Sequence, residues 1–236
     1  RSRTETGNHR GVGNTAMRVV VNAAISADGK LSSHEREQIA ISGPGDFERV
    51  DALRAESDAV MVGVGTVLAD NPSLTLDSDR HSAARLDRGE PPNPARVVAD
   101  SQVRTPPDSA VLDDRAETYL LVSEAAPPDF VAQMEEAGAT VIAAGERRVD
   151  LPVALSELAD HGVDQLMVEG GGEIIYSLFE AGLVDRLSVF VGSLIIGGRD
   201  APTLADGEGF VADFPELELA GVERIDDGVV LEYDVE

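Results

Sequence analysis

Cysteine and tryptophan are both absent from this 236-residue chain, and only one of its 19 basic residues, Lys30, is a lysine. Without cysteine there can be no disulfide framework and no thiolate metal site. The four histidines, His9, His34, His81 and His161, fall in loops or at helix ends with no metal-ligand spacing, so no metal is expected. No apolar run approaches the roughly 20 residues of a membrane span. The N-terminus lacks the apolar core of a signal peptide, so a cytoplasmic protein with no membrane partner is expected. Cations are scarce as well: 44 acidic residues leave a net charge of −25. That balance argues against nucleic-acid binding, which needs cationic patches. An acidic chain almost without lysine fits a salt-loaded, halophilic cytosol, where at 1 M salt a Debye length of about 3 Å screens surface repulsion. Hydrophobic residues still make up 42%. They fall in regular, punctuated segments, which sets the chain apart from a disordered acidic protein.

Arg1 to Ala16 is polar and aperiodic and reads as a disordered extension; residues 17–236 read as a single domain starting at Met17. Buried strands are expected at Arg18–Ile25, Ala59–Val64, Arg96–Ala99, Tyr119–Val122, Thr140–Ala143, Gln165–Val168 and Leu187–Val191. Helices are expected at Asp46–Ser57, Asp129–Ala137, Pro152–His161 and Glu173–Ala181, the last three closed by Gly138, Gly162 and Gly182. Phe47, Val50 and Arg54 share a stripe of the first helix. Asp77–Ala95 is rich in Asp, Arg and Pro, has no period and reads as a solvated loop. Glu216–Val222 and Gly228–Tyr233 read as a terminal antiparallel hairpin. Strands alternating with helices imply an α/β fold with a mostly parallel sheet covered on both faces.

Two segments look chemical. Strand Gln165–Val168 runs through Glu169 into Gly170, Gly171 and Gly172, then into a helix beginning at Glu173. Glycines let the backbone approach a ligand closely, and a helix N-terminus favours an anion such as a pyrophosphate. The spacing is neither a Rossmann fingerprint nor a P-loop, and a tight structural turn is an equal reading of the glycines alone. The second segment, Val62 to Pro72, is again strand and glycine turn; it places Thr66 and Asp70 on one helical face, with Asp70 also suited to capping.

Several segments together are similar to one family. Asn22 to Lys30 (NAAISADGK), Leu53 to Ala55, Met61 to Leu74 (MVGVGTVLADNPSL), Arg96 to Ser101 (RVVADS), Val168 to Gly172 (VEGGG), Ala181 to Arg186 (AGLVDR) and Gly197 to Phe210 (GGRDAPTLADGEGF) occur in family order. The chain resembles the riboflavin-pathway pyrimidinone phosphate reductases, both the stand-alone archaeal form and the reductase half of bacterial deaminase/reductases. The resemblance implies a three-layer dihydrofolate-reductase-like fold, a homodimer, and NADPH-dependent reduction of a phosphorylated ribosylamino-pyrimidine to its ribitylamino form. It implies Lys30 and Glu169 at the reacting centre, with Asn22, Arg54 and Leu74 also on the substrate side and Arg54 clamping its phosphate. Thr66, Asp70, Gly170, Gly171, Gly172 and Glu173 are implied as cofactor contacts. Asp100, Ser101, Arg104 and Gly145 are implied near the adenosine, with Arg104 where a 2′-phosphate is expected. A cis Gly170–Gly171 peptide is a further expectation, by analogy with dihydrofolate reductases. Two departures stand out. Gln102 replaces a lysine of some relatives, which leaves NADH open as cofactor. Asp77 stands where bacterial relatives have an arginine, so contacts to the substrate phosphate must be redistributed. The hairpin and Leu187–Val191 are plausible dimer elements. A dihydrofolate reductase and a non-catalytic nucleotide-binding module are the competing readings.

Overall fold

The computed structural model describes residues 17–35 and 39–236. The expected N-terminal extension lies outside the described residues. In chain order the elements are β1 (Arg18–Ser26), α1 (Pro44–Glu56), β2 (Ala59–Gly63), α2 (Val64–Asp70), α3 (Asp79–Asp87), β3 (Ala95–Ala99), a 3-10 turn (Ala110–Leu112), β4 (Thr118–Val122), α4 (Pro128–Glu136), β5 (Ala139–Ala143), α5 (Leu151–Asp160), β6 (Gln165–Gly170), α6 (Gly172–Glu180), β7 (Arg186–Gly192), β8 (Leu217–Ile225) and β9 (Gly228–Val235).

The strands form one sheet in the order β5-β4-β3-β2-β6-β1-β7-β9-β8. Pairing is parallel from β5 to β7 and antiparallel from β7 through β9 to β8. The apolar runs are explained by burial on both faces: every residue of β4 and the first four of β2 are buried. One core joins alternate residues such as Val21, Met61, Leu121 and Val168 to α5 and α6 through Leu155, Leu158, Ile175 and Leu178. The opposite core joins Val60, Val98, Leu120 and Met167 to α2 and α4 through Val67 and Met134, with Val50 and Leu53 of α1 against it. The result is the expected three-layer α/β arrangement.

The chain leaves β1, skips a place to β2, builds outward to β5, then returns to put β6 between β2 and β1. Strand order therefore reverses at β2-β6-β1, and the carboxyl ends of strands at such a switch point are where α/β sheets bind ligands.

Two local expectations fail. The stretch Asp77–Ala95 contains helix α3 and is not a plain solvated loop. Its buried residue is Arg85, 2% exposed, whose guanidinium donates to Ala55 O, Ser57 O and Pro91 O. A helix that docks through an arginine carries no apolar period for the sequence to display. In α1, Phe47 is 61% exposed, whereas Asp46, Asp51 and Ala55 are buried. Val50 packs against the core and Arg54 turns in to Glu169, so of the expected stripe Phe47 alone faces outward, and buried charged side chains share the inner face.

Candidate active site

Three neighbouring strands present a polar row toward α1. Asn22 of β1 is in register with Ser188 of β7. Glu169 of β6 lies one step past the Val21–Val168 pair. The β2–β6 register shifts there, from Met61–Val168 to Val62–Gly170, so Glu169 sits in a bulge. Bulges re-aim side chains and are common beside functional sites. Above this row α1 supplies two arginines. Arg54 meets Glu169 in a two-pronged pair, Nε to Oε1 at 2.5 Å and Nη2 to Oε2 at 2.6 Å, and its Nη1 donates to Thr75 O at 3.0 Å. The carboxylate raises the Arg54 pKa against the opposing pull of burial, which is the largest single influence on it. Arg49 donates from Nη1 to Ser188 Oγ and from Nη2 to Asn22 Oδ1, at 2.8 and 2.9 Å.

The glycine turn is built from three different constraints. Gly170 is buried, and an added Cβ would come into contact with Thr66, at 3.4 Å from Oγ1. Gly171 is the N-cap of α6 with φ 92 and ψ 106, a backbone region that only glycine enters without strain. Gly172 is crowded: an added Cβ would stand 2.5 Å from Thr203 O and 2.9 Å from Asp206 Oδ2. All described peptide bonds are trans, so the expected cis Gly170–Gly171 bond is absent; the positive φ of Gly171 makes the reversal instead. The start of α6 has no side-chain cap, and Glu173 is exposed beside it.

Lys30 is tied to this turn by the segment Ala201–Asp206. Lys30 and Thr203 form an isolated antiparallel bridge. Lys30 Nζ donates to Ala201 O at 3.0 Å, and Leu31 N donates to Pro202 O at 2.9 Å. At the far end Asp206 N donates to Gly172 O at 2.9 Å, while Asp206 Oδ1 accepts from Thr203 N and Oγ1. The Asp28 side chain fastens the opposite margin, accepting from Ser26 Oγ, Ile196 N and Gly197 N. These bonds, the Ser26 hydroxyl first among them, hold the Asp28 carboxyl at about 2. Leu74 is buried with a left-handed φ of 53 and places the loop under Arg54. Asp70 is exposed at the end of α2, where partial desolvation raises its carboxyl pKa.

The remaining candidates gather beyond β3. Asp100 is fully buried, and its Oδ2 accepts from Thr105 N and Oγ1. Ser101 Oγ accepts from Val149 N, and Gly145 needs its φ of 83 to let the chain fold back on Asp150. Arg104 lies 3.6 Å from Asp100 Oδ1 and lines a cavity of about 700 Å³ with Gln102, Ser123, Pro127, Phe130 and Arg147. Three residues that carry much of this geometry, Arg49, Asp206 and Arg147, were not singled out from sequence. An Asp46-to-Arg49 spacing of three on a helix with buried acids was the available signal for the first. Asp206 lies inside a family-like segment, and Arg147 in a Gly-Glu-Arg-Arg turn.

Known proteins can now be set beside this geometry. Residues 17–231 match the family described as the RibD C-terminal domain. A 2,5-diamino-6-ribosylamino-4(3H)-pyrimidinone 5′-phosphate reductase of Archaeoglobus fulgidus is 46% identical over 210 residues, covering 89% of this chain and 94% of the relative. The protein of the same name from Methanothermobacter thermautotrophicus is 45% identical, covering 92% and 97%. Among solved structures, a pyrimidine reductase-like protein from Corynebacterium diphtheriae superposes with a TM-score of 0.83 at 17% identity, covering 93% of this chain and 92% of that one. At that identity the likeness speaks for the fold.

Proposed function

The chain belongs to the RibD C-terminal domain family, and from that premise we propose that it is the oxidoreductase of riboflavin biosynthesis that reduces the ribosylamino side chain of 2,5-diamino-6-ribosylamino-4(3H)-pyrimidinone 5′-phosphate to the ribitylamino form. NADPH is the proposed reductant; when bound it supplies a hydride to C1′ of the ring-opened imine, and a proton completes the amine nitrogen. The observation that carries the reading is the strap Ala201–Asp206, which fixes the chain's single lysine and the glycine turn as two walls of one crevice. A reaction without a covalent nucleophile depends on holding two molecules with reacting atoms about 3–3.5 Å apart, and a fixed distance between the two walls serves that need.

The residues present fit such a cofactor. The uncapped start of α6 offers free N–H groups and a partial positive charge to a pyrophosphate, with Thr66 adjacent to Gly170. The cavity beyond β3 offers Phe130 and Pro127 as an apolar wall and Arg104 and Arg147 as cations for a 2′-phosphate. That cation pair stands in for the lysine missing at Gln102 and favours NADPH over NADH. On the substrate side, Arg54 is engaged by Glu169, so the pair acts as a rigid donor-and-acceptor unit, and Lys30 is the cation held against the strap by Ala201 O. Neutralising Lys30 by substitution should lower kcat/KM about 100-fold, in the range of general acid catalysis.

The deciding experiment follows NADPH consumption in high salt with the diaminopyrimidine ribosyl phosphate and, separately, with dihydrofolate. Turnover with the first alone supports the proposal; no turnover with it sinks the proposal.

A further inference from the structure

Arg49 is fixed from behind and points forward with nothing left to choose. Its Nε donates to Asp46 Oδ1 at 2.9 Å, and Asp46 is itself 1% exposed. Asp46 Oδ2 accepts from Ser42 Oγ, and the Asp46 backbone N–H donates to Asp226 Oδ2 at 3.1 Å. Nη1 faces Ser188, and Nη2 is shared between Asn22 Oδ1 and Asp46 Oδ1, the latter at 2.8 Å.

A guanidinium has five donors and no acceptor. The carboxamide of Asn22 must therefore turn its oxygen toward Arg49; the flipped form would set donor against donor. The orientation follows from chemistry and does not depend on telling oxygen from nitrogen in coordinates. Asn22 is 5% exposed. Its Nδ2 makes no hydrogen bond among the described residues, yet it is not one of the sealed, unpartnered polar atoms there. It keeps an open edge in the row that also carries Glu169. A ligand that covered this edge without offering an acceptor would leave a buried amide N–H unpaired, which is costly; a ligand with an acceptor there avoids that cost.

We propose that Arg49 is a positioning residue that makes Asn22 a one-way hydrogen-bond donor to an acceptor oxygen of the pyrimidinone substrate. This rests on the function proposed above. It gives the crevice a donor at Asn22 one strand away from an acceptor at Glu169, so the site reads the donor and acceptor pattern of its substrate and does not merely enclose it.

The test uses the full chain with Asn22→Asp, Arg49→Met and Arg49→Lys. Asn22→Asp is nearly isosteric and places a carboxylate beside Arg49, so folding is kept while the donor is lost. The expected result is a drop of at least 10-fold in kcat/KM and in calorimetric affinity for the substrate, with NADPH affinity unchanged. Arg49→Met should raise the substrate KM about 10-fold with kcat within about 2-fold, and Arg49→Lys should recover part of that loss. Substrate affinity within about 2-fold of wild type in Asn22→Asp overturns the inference, because a purely structural asparagine would behave in that way. A wild-type chain inactive with this substrate overturns the proposed activity alone. Positioning is then judged by the Asn22 side-chain amide resonances in ¹⁵N spectra. Identical shifts in wild type and Arg49→Met overturn it, and a shift confined to that amide upholds it.

Discussion

Replacing Gly170, Gly171 and Gly172 one at a time by alanine separates what the turn owes to a ligand from what it owes to its own packing. At Gly170 the nearest atom to a new Cβ is Thr66 Oγ1 at 3.4 Å, on a side chain that can yield. Gly170→Ala should therefore change folding stability by no more than about 0.5 kcal/mol. Gly171→Ala must hold φ 92, a region costing about 1–3 kcal/mol for an L side chain, and also presses on Ile174 Cγ2 at 3.3 Å. Gly172→Ala meets Thr203 O at 2.5 Å, and a backbone carbonyl cannot rotate away. Accommodating it displaces the strap and costs about 1–3 kcal/mol, as overpacking does. For a domain of this size 1 kcal/mol is about 2–4 °C in Tm. Thermal melts in high salt should thus leave Gly170→Ala near wild type and lower Gly171→Ala and Gly172→Ala by several degrees. NADPH titrations complete the separation: Gly170→Ala should weaken binding about 10-fold despite its normal melt, because its methyl group fills the close approach between that backbone and Thr66, where the cofactor is proposed to lie. A Gly172→Ala protein that melts with wild type would refute the strap's role. Unaltered NADPH affinity in Gly170→Ala would refute close approach of a ligand to that backbone.

Three other outcomes are expected. Arg54→Met strands the Glu169 carboxylate, whose side chain is 11% exposed; it should cost about 3 kcal/mol in urea unfolding, and Glu169→Gln less, with equal losses refuting a tight ion pair. Asp28 has a folded-state pKa of about 2 against its usual 3.8, so its contribution is present above pH 4 and disappears as pH falls toward 2. The stability gap between wild type and Asp28→Asn should accordingly close over that interval, and a gap that widens on acidification would contradict the assignment. Arg147→Ala and Arg104→Ala should each weaken NADPH binding about 10-fold while leaving NADH binding unchanged; an equal loss for both nucleotides would move the 2′-phosphate elsewhere.

The strand pattern was legible because strands buried on both faces, as β2 and β4 are, must be almost continuously apolar, and the turn residues Gly138, Gly162 and Gly182 mark where helices α4, α5 and α6 close. Helix α3 was illegible for the opposite reason: its buried contact is Arg85, which a hydrophobic period scores as solvent-facing. Of the site, the glycine turn and the Asp28-Gly29-Lys30 segment could be seen, since each is local. The pairing of Arg54 with Glu169 spans 115 positions, and neither residue carries a mark of its partner. The resemblance implies a phosphate for Arg54, and the structure adds Glu169 as its partner through Nε and Nη2.

Helix α1 carries Arg49 and Arg54, and with them half of the proposed substrate side. It is held by Asp226 at its amino end and by Arg85 and Arg88 at the Ala55 carbonyl in its last turn, while Val50 and Leu53 are only partly buried. A segment docked through charge rather than apolar area adds little to the heat capacity of unfolding and can open as its own unit below the global transition. Amide hydrogen exchange should then find α1 opening ahead of α5 and α6, and more readily at low ionic strength if net negative charge pushes it off. The catalytic crevice would lose its substrate wall before the sheet beneath it loosened, so inactivation and denaturation would be separate events in this protein.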